Sequence, residues 1–264
     1  MKLGFIGCGN MASAIMGGII SNGLMKAEEM IGADVFAPSR EKAKTTLGIQ
    51  IAESNKEVVE KTDSFVLSIK PQFYEEVINE IKDYVKEDQL IITLAPGKTV
   101  AWLEEKFGKS VKLIRTMPNT PAMVQEGMTA VCPNGNVTPE ELDYVLNLLR
   151  AFGEAEVVPE KLIDAVVAVS GSSPAYVFMM IEAMADAAVA EGMPRVQAYK
   201  FAAKAVMGSA KMVLETGKHP GELKDMVCSP GGTTIEAVKV LEETGFRGSV
   251  MQAMEVCAEK SRNM

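Results

Sequence analysis

Apolar residues fall in short bursts through the first part of the chain, and stretches with helical spacing separate the bursts. Leu3–Ile6 is a short apolar run of strand length, and Asn10–Ser21 sets its apolar residues at helical intervals. Val35-Phe36 reads as part of a second short strand, followed by a charged helix from about Ser39. Residues 64–69 (SFVLSI) and 90–94 (LIITL) have the length of buried strands. Between them Phe73, Val77, Ile78, Ile81 and Val85 recur at helical spacing. Residues 111–117 and 127–132 read as two more strands. Strands alternating with helices predict βαβ units and a mainly parallel sheet.

From about Glu160 the pattern changes to Ala, Met, Val and Glu, and strand-like alternation fades. Residues 174–190, 194–216, 233–243 and 247–262 read as helices, with Pro174 and Pro194 at first turns and Gly192 and Gly217 as stops. The second of these could run ~35 Å. Helices apolar over so much of their circumference bury surface in a bundle or against another subunit. Their methionines read as core filler. The expected organisation is an α/β dinucleotide-binding domain over residues 1–158 and an all-α domain over 159–264.

Composition changes this picture little. The chain has 264 residues, 47% of them hydrophobic, enough for a sizeable core. Its 27 Lys and Arg stand against 35 Asp and Glu, a formal net charge of −8 with no basic run. That balance argues against nucleic acid or an anionic membrane as partner. Cys8, Cys132, Cys228 and Cys257 lie far apart without metal-site or redox-motif spacing, and no metal-ligand cluster is visible. No signal peptide is recognised at the N-terminus, and no uninterrupted apolar run approaches the ~20 residues of a membrane span. A soluble, cytoplasmic protein is expected.

The sharpest motif is Gly7-Cys8-Gly9-Asn10-Met11-Ala12, a G-x-G-x-x-A loop after a strand and opening a helix. Gly7 permits the tight turn, Gly9 lets a pyrophosphate approach the backbone, and Ala12 keeps the helix close to the sheet. Free amides at the helix start face the anion. NAD sites usually carry an acidic residue about 20 residues further on, at the end of the second strand. Here the chain reads Ala37-Pro38-Ser39-Arg40, and Asp34 falls before the expected strand end. Ser39 and Arg40 can donate to a 2′-phosphate, which predicts NADPH over NADH. Arg40 as a merely solvated charge at the helix start is the alternative.

Two loops in the helical part are candidate carboxylate sites: residues 170–176 (SGSSPAY) and 229–234 (SPGGTT). Glycines before a helix bare backbone N–H groups, and the helix dipole adds to them. Either loop could instead be ordinary N-capping by Ser or Thr. His219, the one histidine, reads as a turn residue. With no strong side-chain acid or base in view, reduction of an imine fits, since a protonated C=N already accepts hydride well.

The chain resembles the pyrroline-5-carboxylate reductases over essentially its full length. The resemblance is carried by IGCGNMA (6–12), IKP (69–71), MPNTPA (117–122), LIDAV (162–166), SGSSPAY (170–176), EAMADAAV (182–189) and SPGGTTIEAV (229–238). It implies an N-terminal Rossmann domain and a helical dimerisation domain, interlocked dimers and possible decamers. It implies reduction of 1-pyrroline-5-carboxylate to L-proline by hydride transfer, with NADPH as cofactor and NADH also accepted. Cofactor contacts would come from Ile6, Gly7, Cys8, Gly9, Asn10, Met11, Ser39, Arg40, Asn55, Ser68, Ile69, Lys70, Pro71, Leu94, Ala95, Pro96 and Gly97, with Asn119 near the nicotinamide. Ser229, Gly232, Thr233 and Thr234 would hold the substrate, Thr234 at the ring nitrogen, and Glu160 would lie near it. One departure stands out. Relatives commonly read Ala-Ala-Gly followed by an apolar residue where this chain has Ala95-Pro96-Gly97-Lys98. Pro96 removes an amide donor.

Two other readings stay open. A hydroxyacid dehydrogenase of similar build would place a catalytic lysine on a helix of the second domain, with Lys200, Lys204 and Lys211 as candidates. A dinucleotide-sensing module would bind NADPH and turn nothing over.

Overall fold

Side chains that alternate between two buried faces build the first half of the structure. In β1 (Leu3–Ile6), Leu3 and Phe5 join one apolar cluster and Ile6 the other. Phe65 and Leu67 of β4 (Ser64–Leu67) share the cluster of Ile6, while Val66 points the opposite way. In β5 (Leu90–Thr93), Leu90 and Ile92 face one side and Ile91 the other. A strand buried on both faces needs apolar residues at every position, which is why these runs are continuous rather than alternating.

The computed structural model describes residues 2–94 and 96–263. Its remaining strands are β2 (Met30–Ala33), β3 (Gln50–Ile51), β6 (Lys112–Met117), β7 (Gly127–Pro133) and β8 (Gly153–Val157). They form one sheet in the order β3-β2-β1-β4-β5-β6-β7-β8. All neighbours are parallel except β6 and β7. The order reverses at β1, so loops leaving β1 and β4 flank a crevice at the carboxyl edge, where ligands of open α/β sheets bind.

The second strand lies earlier than its pattern implies. It ends at Ala33, and Val35 and Phe36, expected inside it, are 97% and 61% exposed in a loop before the helix Ala37–Lys42. Gly32 disguises the true strand. A Cβ there would come within 2.7 Å of Cys8 Sγ, so the glycine marks a close approach inside the sheet. The shift makes Asp34 the first residue after β2.

A second difference lies at residues 170–176. The expected turn is helical: Val167–Gly171 is a π-helix, with Ser172 N donating to Val167 O at 2.8 Å, and the helix Ser173–Ala190 follows directly. Short π segments inside helices are frequent at functional sites.

The chain divides into two compact units, Met1–Ser172 with Cys257–Met264, and Ser173–Val256. In the second, Ser173–Ala190 and Arg195–Thr216 form a hairpin through a loop where Gly192 is left-handed. Ala185, Ala198 and Ala202 are the only buried apolar residues described in this unit. The methionines expected as core filler are not buried: Met179, Met184, Met207, Met212, Met226 and Met251 are all exposed in the single chain. An apolar surface of this extent marks an interface. The helical run Glu160–Ala190 contains an 18-residue window of mean hydropathy 1.4 that is also little buried.

Candidate functional site

The glycine loop is shaped by backbone demands. Gly7 continues the sheet by donating to Ala33 O at 2.7 Å, and its φ of +96° is one that L side chains rarely adopt. A Cβ at Gly7 would lie 2.3 Å from Ser68 O, so the first turn presses on the loop after β4. Gly9 is the N-cap of the helix Asn10–Ser21 and supplies no capping side chain. By contrast Ser54, Thr99 and Thr138 cap the helices that begin at Asn55, Val100 and Pro139. The first intrahelical bond runs from Ser13 N to Gly9 O, so the amides of the first turn have no partner within the helix. A Cβ at Gly9 would meet nothing within 4 Å. An uncapped twelve-residue helix facing open space fits a dinucleotide pyrophosphate.

The flanking loops are braced from behind. Tyr74 is fully buried; its hydroxyl donates to Leu67 O at 2.6 Å and accepts from Leu94 N at 3.2 Å. It thereby ties the ends of β4 and β5, from which Ser68, Ile69, Lys70 and Pro71 on one side and Leu94, Pro96 and Gly97 on the other continue. Burial pushes its phenol pKa up. Ala95, expected among the cofactor contacts, lies outside the described residues. Lys98 places its ammonium 4.6 Å from the centre of the Trp102 ring, which gives this unusual lysine a cation–π partner.

Other expected cofactor residues have structural duties. Cys8 is buried, its amide donates to Asp34 Oδ2 at 2.7 Å, and its thiol is pushed up to about 12 by burial first and Asp34 second. It is not a nucleophile at neutral pH. Asn55 donates to Glu80 Oε2 at 2.8 Å. Asn119 is buried; its oxygen accepts from Met128 N at 2.9 Å and its nitrogen donates to Ser170 O at 3.1 Å, beside the π segment. Ser39 and Arg40 stand in the short helix after β2, and the Arg40 guanidinium donates to Asp34 O.

Glu160 accepts at one oxygen, Oε1, from Val100 N at 2.7 Å and from Arg115 at 2.6 Å. Arg115 is 4% exposed on β6. The carboxylate therefore neutralises a buried guanidinium and sits at the positive end of the helix Val100–Phe107. Nothing at sequence level pointed to Arg115, because its partner is 45 residues away.

In the second unit, the helix Thr233–Glu243 also starts without a capping side chain, at Gly232. Gly232 N donates to Ser229 O at 3.0 Å, and a Cβ on Gly232 would meet Ser229 Oγ at 2.5 Å. The Ser229 hydroxyl thus lies against the N-cap Gly232, and Thr233 and Thr234 open the first turn of the helix. Gly231 has φ +66°. His219 is a turn residue, as its setting implied: its Nδ1 accepts from Gly221 N at 3.0 Å and caps the helix Pro220–Val227.

Residues 2–97 match the family described as NADP oxidoreductase coenzyme F420-dependent, and residues 160–264 match pyrroline-5-carboxylate reductase dimerisation. The pyrroline-5-carboxylate reductase of Escherichia coli is 56% identical over 266 residues, covering 100% of this chain and 98% of that protein. The chain belongs to the pyrroline-5-carboxylate reductase family. Members are NAD(P)H-dependent oxidoreductases that reduce 1-pyrroline-5-carboxylate to proline. The solved pyrroline-5-carboxylate reductase of Coxiella burnetii superposes with a TM-score of 0.92 at 33% identity, covering 99% of this chain and 97% of its own. The Plasmodium falciparum pyrroline carboxylate reductase, solved with NADP bound, gives 0.91 at 33% identity, covering 100% and 97%. The Rossmann-type sheet and the helical dimerisation domain expected of the family are both present. The dimerisation match fits the exposed apolar surface of the helices.

Proposed function

We propose that residues 229–234 hold the carboxylate of 1-pyrroline-5-carboxylate and that Thr234 hydrogen-bonds its ring nitrogen. The observation that carries the substrate role is the bare N-terminus at Gly232, with the Ser229 hydroxyl folded against it. Amides and helix dipole neutralise one carboxylate there without a cationic side chain. Thr234 orients the C=N. A protonated imine needs no further acid, so orientation is the main task left to the protein. Bound NAD(P)H supplies the hydride.

For the cofactor, the proposed cradle is the Gly7–Gly9 turn and the first turn of the helix Asn10–Ser21, with Ile6 below it. The loops of Ser68, Ile69, Lys70 and Pro71 and of Leu94, Pro96 and Gly97 flank the dinucleotide, and Ser39 with Arg40 meets a 2′-phosphate. Asn55 and Asn119 shape this edge through the bonds described above. Glu160 is kept as a substrate neighbour only through what it holds in place. The subunits form interlocked dimers, and decamers built from them are part of the same proposal. The enzyme works in the cytoplasm, with neither nucleic acid nor membrane as partner.

Oxidation of NADPH followed by absorbance, with 1-pyrroline-5-carboxylate as acceptor, tests the activity. Cofactor binding without turnover would favour a dinucleotide sensor, and oxidation of a 3-hydroxyacid instead would favour the dehydrogenase reading. Thr234→Ala is expected to lower kcat/KM for the imine about 10-fold or more, since one hydrogen bond to a polar centre contributes ~1.5 kcal/mol. An unchanged kcat/KM would remove Thr234 from the site.

A further inference from the structure

The end of β2 carries two groups of opposite charge at one place. Asp34 follows the strand directly, and both its oxygens are engaged: Oδ2 accepts from Cys8 N at 2.7 Å and Oδ1 from Phe36 N at 2.8 Å. These bonds fix the carboxylate between the glycine loop and the loop that leads to Ser39. A carboxylate has about four acceptor sites, so two amides leave capacity for hydroxyl donors. Arg40 is drawn to the same spot by its bond to the Asp34 carbonyl. The dinucleotide's adenosine ribose lies at this position in sheets of this type, and a carboxylate there bonds the free 2′-hydroxyl of NADH. The same carboxylate repels a 2′-phosphate, which a guanidinium favours.

We propose that Asp34 is a cofactor-selecting residue that opposes Arg40, favouring NADH and holding back the NADPH preference that Arg40 confers. The inference rests on the dinucleotide reading of the glycine loop but not on the identity of the hydride acceptor. The fixed carboxylate is what separates this from a surface charge: two backbone amides hold it in one orientation, and the Cys8 amide belongs to the loop that meets the pyrophosphate.

The test is the ratio of dissociation constants for NADPH and NADH, read by fluorescence titration of the intact protein without substrate. Asp34→Asn is expected to shift that ratio towards NADPH by about 10-fold, and Arg40→Ala to shift it towards NADH. Weakening of the glycine loop alone would lower both affinities together and leave the ratio where it was, and that result would overturn the proposal. The affinity for 2′,5′-ADP relative to 5′-AMP serves as a second readout with the nicotinamide removed, and it should rise in Asp34→Asn. A shifted ratio in a protein that reduces no imine would keep the proposal and sink the reaction assigned above. Imine turnover with an unshifted ratio would do the reverse.

Discussion

Gly9→Ala is expected to lower the affinity for NAD(P)H about 100-fold without unfolding the protein. Gly9 has φ −70° and ψ −169°, which alanine adopts freely, and a Cβ there touches no protein atom within 4 Å. The added methyl would fill only the space through which the pyrophosphate reaches the helix amides. Displacements of about 1 Å in a positioned group can cost a factor of 10². Gly7→Ala is the companion with a different signature. At φ +96° and 2.3 Å from Ser68 O, its Cβ forces the backbone to move. A left-handed alanine costs roughly 1–2 kcal/mol and overpacking ~1–3 kcal/mol, so a loss of about 2–5 kcal/mol is expected, together with weaker binding. Cofactor titration and urea unfolding measured on both variants separate the effects. Normal affinity in Gly9→Ala would place the pyrophosphate elsewhere.

Glu160→Ala is expected to destabilise the protein by about 3 kcal/mol. Removing one partner of a buried ion pair strands the other, at a cost of roughly 3–5 kcal/mol, and the lower end applies because the Glu160 side chain is 34% exposed against 5% for Arg115. Val100 N loses its acceptor as well. Glu160→Gln keeps an acceptor but no charge and should fall between alanine and wild type. The same variants decide what Glu160 does for the substrate. A residue that only braces the loop after β5 changes stability most and the KM for the imine little. Wild-type stability with a raised imine KM would make it a direct substrate contact.

What the sequence makes legible is what backbone geometry dictates. The loop Gly7-Cys8-Gly9 is readable because the φ of +96° at Gly7 demands glycine and the pyrophosphate needs the open space at Gly9, and the long helices because their stops are left-handed glycines. The true end of β2 is hidden for a local reason. Val35 and Phe36 look more strand-like than Ile31-Gly32-Ala33, and Gly32 is there for a thiol that neither its neighbours nor its spacing reveal. The π segment at Val167–Gly171 is hidden by Ser170, Gly171 and Ser172, whose local preference is a turn; the bond from Asn119 to Ser170 O helps to hold the alternative. Arg115 and Glu160 are illegible in principle, since only the register of β6 brings them together. The exposed methionines are illegible in a different way: composition implies that a surface is buried but not whether the same chain buries it.

The three alanines at the helical hairpin have a consequence for how the molecule responds to its own abundance. A helical unit in which only three apolar residues among those described are fully buried has little free energy of its own with which to persist alone. Cover supplied by a second copy obeys mass action, so folding and association become one equilibrium and the midpoint of unfolding rises with protein concentration. Melting curves recorded over a hundredfold dilution series should therefore move apart, with the sheet unit and the helical unit parting company first in the most dilute sample. A concentration-independent Tm would mean that the helices are stable without a neighbour.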